Sequence, residues 1–264
     1  MIPFPNIDPV IFRIGPLVFR WYGMMYLFGF GSSFLLIKYR LNLERKVLKD
    51  EQIEDLFFLL VLGLILGARI GYMLFYDFEE AVSNPLSIVA VWKGGMSFHG
   101  GLLGASAAGI WFCRKHGVPA LALADIVMIT APIGLGFGRL GNFINGELWG
   151  RITGLPWGMV FPHAGSLPRH PSQLYELGLE GIILFIVMWS ARHRLKKPGQ
   201  MTALFLICYG FFRIIAEFFR EPDPQLGFLF GFITMGQLLS SLMIICGSWI
   251  MFIISGNDRV KRRN

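Results

Sequence analysis

The run Gly138-Arg139-Leu140-Gly141-Asn142-Phe143-Ile144-Asn145-Gly146-Glu147-Leu148-Trp149-Gly150 puts an arginine, two asparagines, a carboxylate and four glycines at the end of a long apolar stretch. Polar groups at membrane depth are costly, so chains carry them there chiefly for function. Arg139 and Asn142 are three apart, hence neighbours on a helix. An unpaired arginine at this depth needs an anion, and Glu147, Glu217 or a bound phosphate are the candidates. Further along, Tyr209, Arg213, Glu217 and Arg220 follow at i, i+4, i+8 and i+11, which places them on one helical face. That face is either an Arg213–Glu217 pair holding neighbouring helices or an anion site in which Glu217 orients an arginine and Tyr209 adds a hydroxyl donor. The planar guanidinium fork suits a lipid phosphate because it donates two parallel hydrogen bonds. Arg220, closer to the interface, has the alternative of snorkelling. His99 sits in Ser97-Phe98-His99-Gly100-Gly101. It either caps a helix or acts as a general base, for which neutral imidazole is suited near pH 7. Two arginine centres and one histidine fit the binding of an anionic phospholipid and base-assisted attack on it. These residues alone do not name the nucleophile.

The elements that must position these groups follow from composition. Hydrophobic residues make up 54% of the chain and charged ones 16%, too few charges for a soluble domain of 264 residues. Seven apolar segments of about 20 residues each predict an all-α integral membrane protein with seven transmembrane helices. They lie near Leu17–Ile37, Ile53–Tyr76, Met96–Cys113, Leu121–Leu140, Leu174–Ala191, Met201–Phe219 and Phe230–Ser255. The expected organisation is a single polytopic domain over 1–264, with an outer loop at 141–173 and a basic tail at 256–264 that frays into solvent.

The net charge of +7 is clustered, which is a topology signal before it is a nucleic-acid signal. Lys38, Arg40, Arg45, Lys46 and Lys49 follow segment one. Arg114 and Lys115 follow segment three, and Arg192, Arg194, Lys196 and Lys197 follow segment five. Arg259, Lys261, Arg262 and Arg263 end the chain, while Asp77, Glu79, Glu80, Glu221 and Asp223 lie in the alternate loops. The positive-inside rule then puts the N-terminus outside and the C-terminus in the cytoplasm, as an odd span count requires. With that orientation Arg20-Trp21-Tyr22, Arg69, His99, Arg139, Asn142, Tyr209, Arg213, Glu217 and Arg220 all fall in the outer half. An ion path would string polar groups through the whole thickness instead, which weighs against a transporter. A hydrolase would need a nucleophile elbow or a metal-binding carboxylate set, and neither motif is visible.

Several other features have structural readings. Gly63, Gly67 and Gly71 mark a close-packing helix face, and Gly134 with Gly138 a second. Asp125 caps the start of segment four. Cys113, Cys208 and Cys246 lie in apolar runs, with no Cys-x-x-Cys and no His cluster of metal spacing, so buried inert thiols and no metal are expected. Gly136-Phe137-Gly138-Arg139-Leu140-Gly141 fits Gly-x-Gly-x-x-Gly, but an apolar span precedes it where a strand is required. Asp8 and the prolines Pro3, Pro5 and Pro9 argue against a cleaved signal peptide.

Along essentially its whole length the chain resembles the prolipoprotein diacylglyceryl transferase family. The resemblance rests on Arg20-Trp21-Tyr22-Gly23, Gly67-Ala68-Arg69-Ile70-Gly71-Tyr72, Gly95-Met96-Ser97-Phe98-His99-Gly100-Gly101 and the Gly138–Gly150 run. It continues through His170-Pro171-Ser172-Gln173-Leu174-Tyr175-Glu176 and Tyr209-Gly210-x-x-Arg213-x-x-x-Glu217-Phe218-x-Arg220. The resemblance implies a bacterial inner-membrane enzyme that moves the diacylglyceryl group of phosphatidylglycerol onto the lipobox cysteine thiol of prolipoproteins. A thioether forms, glycerol phosphate leaves, and the site faces the periplasmic side. By the same resemblance His99 helps deprotonate the thiol, and Arg139 and Arg213 hold the phosphate. Asn142, Glu147 and Gly150 shape that site, with Tyr22, Tyr209, Glu217, Arg69 and Arg220 positioning lipid and base. No cofactor is implied, and the partners are the two substrates and the bilayer. The outer loop from Gly154 to Leu167 is short for the family.

Overall fold

A computed structural model describes residues 2–5, 7–15, 17–45, 47–222 and 231–261. Lys46, Asp223, Phe230, Arg262 and Arg263, used above for charges and span limits, lie outside the described residues. All seven apolar segments form helices: α1 Trp21–Leu36, α2 Asp50–Phe75, α3 Phe98–His116, α4 Ala120–Ile144, α5 Ser172–Ala191, α6 Gln200–Glu217 and α7 Met235–Lys261. Five of them, α2, α4, α5, α6 and the Met235–Gly256 part of α7, are long and apolar enough to cross a membrane. The chain is thus a mostly helical protein of membrane type.

Three departures from the expected elements have local causes. The first four residues of segment one, Leu17–Arg20, form strand β3, paired antiparallel with β2 (Val10–Ile14). The turn between them contains Gly15 at φ 56°, and the run is rich in Val, Ile and Phe, which favour strands. The basic tail expected from Gly256 begins as the last turns of α7, which reaches Lys261. Helix α5 is α-helical at Ser172–Glu176, π-helical at Leu177–Ile183 and α-helical again from Leu184. Two glycines within the wide turn, Gly178 and Gly181, ease that geometry.

The chain divides into two compact units, residues 37–123 and residues 1–36 with 124–264. In the 37–123 unit, α2 lies on α3 through the Gly63, Gly67, Gly71 face, as expected. A Cβ at Gly63 would lie 2.6 Å from the Gly104 carbonyl oxygen, and one at Gly71 would lie 2.7 Å from Gly100 Cα. Backbones this close are open only to glycine, and they gain dispersion contacts that lipid chains cannot match. The unit is closed at the start of α2 by Asn42. Its side chain donates to the Leu48 carbonyl at 2.8 Å and accepts from the Leu48 amide at 2.9 Å.

In the other unit, α4 touches α1 where a Cβ on Gly29 would lie 3.0 Å from Gly134 Cα. It touches α5 at Gly136, where a Cβ on Gly181 would lie 2.8 Å from Gly136 Cα. Gly138, expected on a packing face, has open space beside it. Asp125 is fully buried and caps a different helix from its own. It accepts from the Gly199 amide at 2.9 Å and the Thr202 amide at 2.8 Å, satisfying the orphan donors at the start of α6. Of the cysteines, Cys113 is buried but Cys246 is exposed on α7. An apolar run surrounded by lipid has no need to bury every thiol.

Beyond α4 the chain folds a small head with its own core, Phe143, Met159 and Phe161, flanked by Phe4, Trp149, Ala164 and Leu174. Strand β1 (Ile2–Pro3) pairs parallel with β4 (Met159–Val160) at its edge. Three distant segments meet at Gly150. Its amide donates to the His170 carbonyl at 2.9 Å, and it bridges antiparallel to Arg220. A Cβ there would strike the Phe219 carbonyl oxygen and lie 2.7 Å from His170 Cβ, so the crossing requires glycine.

Candidate active site

The arginines find their anions on α5. Arg139 Nε lies 2.7 Å from Glu176 Oε2, and Arg139 Nη2 lies 3.4 Å from Glu180 Oε2. Arg213 Nη1 donates to the same Glu176 Oε2 at 3.0 Å and lies 3.6 Å from Glu180 Oε1. Arg213 Nη2 donates to Glu217 Oε1, the i, i+4 pair expected on α6. Arg220 Nη1 lies 3.6 Å from Glu176 Oε1. It is buried rather than snorkelling, because the Gly150 bridge draws its backbone back under the head. Tyr209 interacts electrostatically with Arg139, Arg213, Glu176 and Glu180, so its face of α6 is the one expected.

Glu217 is fixed from a second side. Thr234 Oγ donates to Glu217 Oε2 at 2.8 Å, and the same Oγ accepts from the Gln237 amide at 3.1 Å. Gln237 Oε1 accepts in return from the Thr234 amide at 3.1 Å, which closes a capping box at the start of α7. Gly236 leaves the room this needs, since a Cβ there would lie 2.6 Å from Glu217 Cδ. Three guanidinium groups and three carboxylates thus form one buried network. Charges withdrawn from water persist only when paired in this way.

Of the anions considered for Arg139 from sequence, Glu147 and Glu217 are both corrected by this geometry. Glu147 Oε1 accepts from Asn142 Nδ2 at 2.8 Å and from Asn145 Nδ2 at 3.2 Å, just past the end of α4. The Tyr22 hydroxyl lies 3.2 Å from that of Tyr26, and Tyr22 interacts electrostatically with Glu147. A Cβ at Gly141 would come 2.9 Å from Tyr22 Cδ2, so that glycine admits the tyrosine. Tyr22, Asn142 and Glu147 therefore make a second polar group, one turn of α4 beyond Arg139. Its loop is held by α5: Gln173 Nε2 donates to the Glu147 carbonyl at 2.6 Å, and Ser172 Oγ to the Leu148 carbonyl at 3.0 Å. Between those anchors Leu148 takes φ 59°, a left-handed conformation that a non-glycine residue holds only when its surroundings enforce it.

The acids of α5 carried a signal in the sequence. Glu176 and Glu180 interrupt an apolar run that contains no basic residue of its own, and such acids call for a partner from another segment. Thr234 carried no comparable mark, and Asn145 stood out only as part of the polar run at the end of α4.

Arg69 and His99 belong to the 37–123 unit. Arg69 is buried, and its donors are taken by backbone carbonyls of one loop. It bonds the Ser87 carbonyl through Nε at 3.2 Å and Nη2 at 2.7 Å, and the carbonyls of Gly94 and Gly95 through Nη1. Both glycines are left-handed, at φ 82° and 76°, which side-chain-bearing residues rarely adopt. The loop so held leads into Ser97, whose amide bonds the Ala68 carbonyl at 2.8 Å. Ser97, not His99, is the cap of α3, accepting from the Gly100 amide at 3.3 Å. His99 follows in the first turn with its ring exposed, edge-on to Phe98. Within its unit, among the described residues, the ring has no hydrogen-bond partner, and it lines a hollow with Phe75, Tyr76 and Ser97.

In the head, His170 Nδ1 lies 3.1 Å from the Tyr175 hydroxyl, which accepts from Trp157 Nε1 at 2.8 Å. Partial burial lowers the His170 pKa from its ordinary value.

The paired, buried cations thus lie one helical turn from a group of amides, a carboxylate and tyrosines. Comparison with known proteins bears on which site it is. Residues 9–253 match the family model described as prolipoprotein diacylglyceryl transferase. A phosphatidylglycerol–prolipoprotein diacylglyceryl transferase of Legionella pneumophila strain Lens is 53% identical over 251 residues, covering 95% of this chain and 98% of the relative. The like-named protein of Coxiella burnetii strain RSA 331 is 53% identical over 253 residues, covering 96% and 97%. With every quoted motif inside the matched span and both relatives aligned nearly end to end, the chain belongs to the prolipoprotein diacylglyceryl transferase family.

Proposed function

We propose that this chain transfers the diacylglyceryl group of phosphatidylglycerol to the lipobox cysteine of prolipoproteins, the first step of bacterial lipoprotein maturation. The observation that carries the reading is the pair Arg139 and Arg213, anchored on shared carboxylates in a chain of this family. The thiol sulfur attacks the glycerol carbon that bears the phosphate. That carbon–oxygen bond breaks, glycerol phosphate leaves with the electron pair, and a thioether forms. The thiol proton goes to a base, assigned to His99. An ordinary thiol has a pKa of about 8.5 and is mostly protonated at neutral pH, so a base speeds the attack.

Arg139 and Arg213 are assigned to the phosphate, where they stabilise charge growing on the leaving group. Glu217 aims Arg213, and Thr234 fixes Glu217. Tyr22, Asn142 and Glu147 shape the adjoining surface, and Gly150 holds Arg220 and the head in register. Tyr209 and Arg220 complete the lipid side. Arg69 acts at one remove, by holding the loop that delivers His99. The reading needs no cofactor, because the phosphate is already a leaving group.

We place the chain in the bacterial inner membrane with seven spans, α1 and α3 being the two beyond the five apolar helices. The N-terminus is then periplasmic, the C-terminus cytoplasmic, and the 141–173 loop outside. The clustering of Lys38, Arg40, Arg114, Lys115, Arg192 and Arg194 after alternate helices supports this orientation.

Purified protein given phosphatidylglycerol should raise the mass of a lipobox peptide by one diacylglyceryl group and leave a Cys→Ser peptide unchanged. Lipid cleavage at equal rate without peptide would refute transfer in favour of hydrolysis. Full activity in His99→Ala, Arg139→Ala or Arg213→Ala would refute the assigned roles.

A further inference from the structure

We propose that Glu180 sets the charge preference of the phosphate site, favouring a singly charged phosphodiester over a doubly charged phosphomonoester. The proposal rests on the transferase reading above and deepens it. Two carboxylates of α5 serve the same two arginines but are not equivalent. Glu176 binds tightly, with one oxygen 2.7 Å from Arg139 and 3.0 Å from Arg213. Glu180 stands off, at 3.4 Å from Arg139 and 3.6 Å from Arg213. Both are buried and each has an Oε1 with no hydrogen-bond partner among the described residues, so the distances are what set Glu180 apart. A fully buried carboxylate held at arm's length by two guanidinium groups contributes little as a clamp. Ionised, it places a negative charge beside both guanidinium groups at longer range than Glu176 does.

The charge count shows what that does. Among the described residues, Arg139, Arg213 and Arg220 meet Glu176, Glu180 and Glu217, three charges of each sign when all six are ionised. The lipid brings one negative charge on its phosphodiester. When the carbon–oxygen bond breaks, the electron pair stays on the phosphate side and the thiol proton goes elsewhere. The leaving phosphomonoester, with a second pKa of about 6, then carries close to two charges at neutral pH. Two arginines still stabilise that growing charge, but Glu180 opposes its retention in a site of low dielectric. Glu180 is thus a specificity residue: it admits the substrate headgroup and helps expel the product.

The test uses the full-length chain in nanodiscs depleted of phosphatidylglycerol. Two water-soluble probes, glycerophosphoglycerol (a diester) and glycerol phosphate (a monoester), compete against a labelled anionic lipid at pH 8. The wild type should bind the diester more tightly. Glu180→Gln, which keeps the shape and removes the charge, should move the ratio of the two affinities toward the monoester by about tenfold, the effect of about 1.4 kcal/mol. Glu180→Asp should restore most of the wild-type ratio. A merely structural role would weaken both probes together and leave the ratio unchanged. A ratio in Glu180→Gln within about twofold of the wild-type value would overturn the proposal. So would a wild type that prefers the monoester or binds neither probe, a result that needs no variant to fold. Because binding is read without peptide, failure here leaves the transfer reaction standing, and failure of the peptide mass shift leaves this ratio meaningful.

Discussion

Replacing Glu176 by Gln tests whether the carboxylate network holds the helices as well as the lipid. Glu176 is 1% exposed, and the arginines around it are 17%, 12% and 10% exposed at their side chains, so solvent screens little of their interaction. Its Oε2 accepts a hydrogen bond from Arg213 at 3.0 Å and lies 2.7 Å from Arg139 Nε, and a hydrogen bond to a charged group is worth about 1.5–3 kcal/mol. Removing one member of a buried charge set costs about 3–5 kcal/mol, because the partners remain buried and uncompensated. Gln keeps the shape and one acceptor oxygen, so the loss should fall near the lower end, about 3 kcal/mol, with Glu176→Ala nearer 5. Denaturant unfolding in detergent micelles, followed by tryptophan fluorescence, reads this directly. Glu54→Gln removes the exposed Lys38–Glu54 pair at 2.7 Å and should leave the midpoint unmoved. A loss below about 1 kcal/mol in Glu176→Gln would refute the reasoning, since it would mean that the buried arginines do not depend on this carboxylate.

Gly150→Ala should destabilise by about 2–4 kcal/mol, from overpacking and the loss of the Gly150–His170 backbone bond, and should reduce transfer in the same protein. Wild-type stability and turnover in that variant would remove the Gly150 crossing from the account. Asp125→Ala should cost about 2 kcal/mol or more, with faster amide exchange at Gly199 and Thr202, because a fully buried cap is removed. His170 has a lowered pKa when folded, so the unfolded chain binds its proton first. Its stabilising contribution is therefore complete above the unfolded pKa of about 6.5 and is lost as pH falls from there. Wild type should lose more unfolding midpoint than His170→Asn between pH 7.5 and pH 5; parallel curves would exclude His170.

The helices were legible because apolar runs of this length have few alternatives in a membrane chain. The α2 glycine face was legible too, since spacing of four repeats one face of a helix. The Tyr209, Arg213 and Glu217 face followed from the same arithmetic, but α6 ends at Glu217, so Arg220 reaches the network from the turn beyond the helix and not from its face. The partner of Arg139 was not legible. Periodicity shows which residues share a face, but not which face of another helix lies opposite, and Glu176 and Glu180 stand 37 and 41 positions away. The phase of α5 also depends on the wide turn at Leu177–Ile183, which no propensity scale marks. Asp125 was misassigned for a related reason. A cap next to a helix start reads as local, whereas this one serves α6 across the packing interface. The Leu17–Arg20 strand was hidden because Leu, Val and Phe suit a strand and a span equally.

The distances along the chain within the ion network also have a consequence for its assembly. Arg139 is synthesised before its acids, and Glu180 follows it by 41 residues. At about 5–20 residues per second that interval lasts roughly 2–8 s. Arg213, in turn, comes 37 residues after Glu176. During the first wait Arg139, near the end of α4, has neither of its α5 carboxylates, and during the second Glu176 and Glu180 have Arg139 but not Arg213. Insertion and folding are therefore not separate stages for this chain. The carboxylates that pair with Arg139 lie on the fifth helix, and Thr234, which grips Glu217, is the last of these residues to be made.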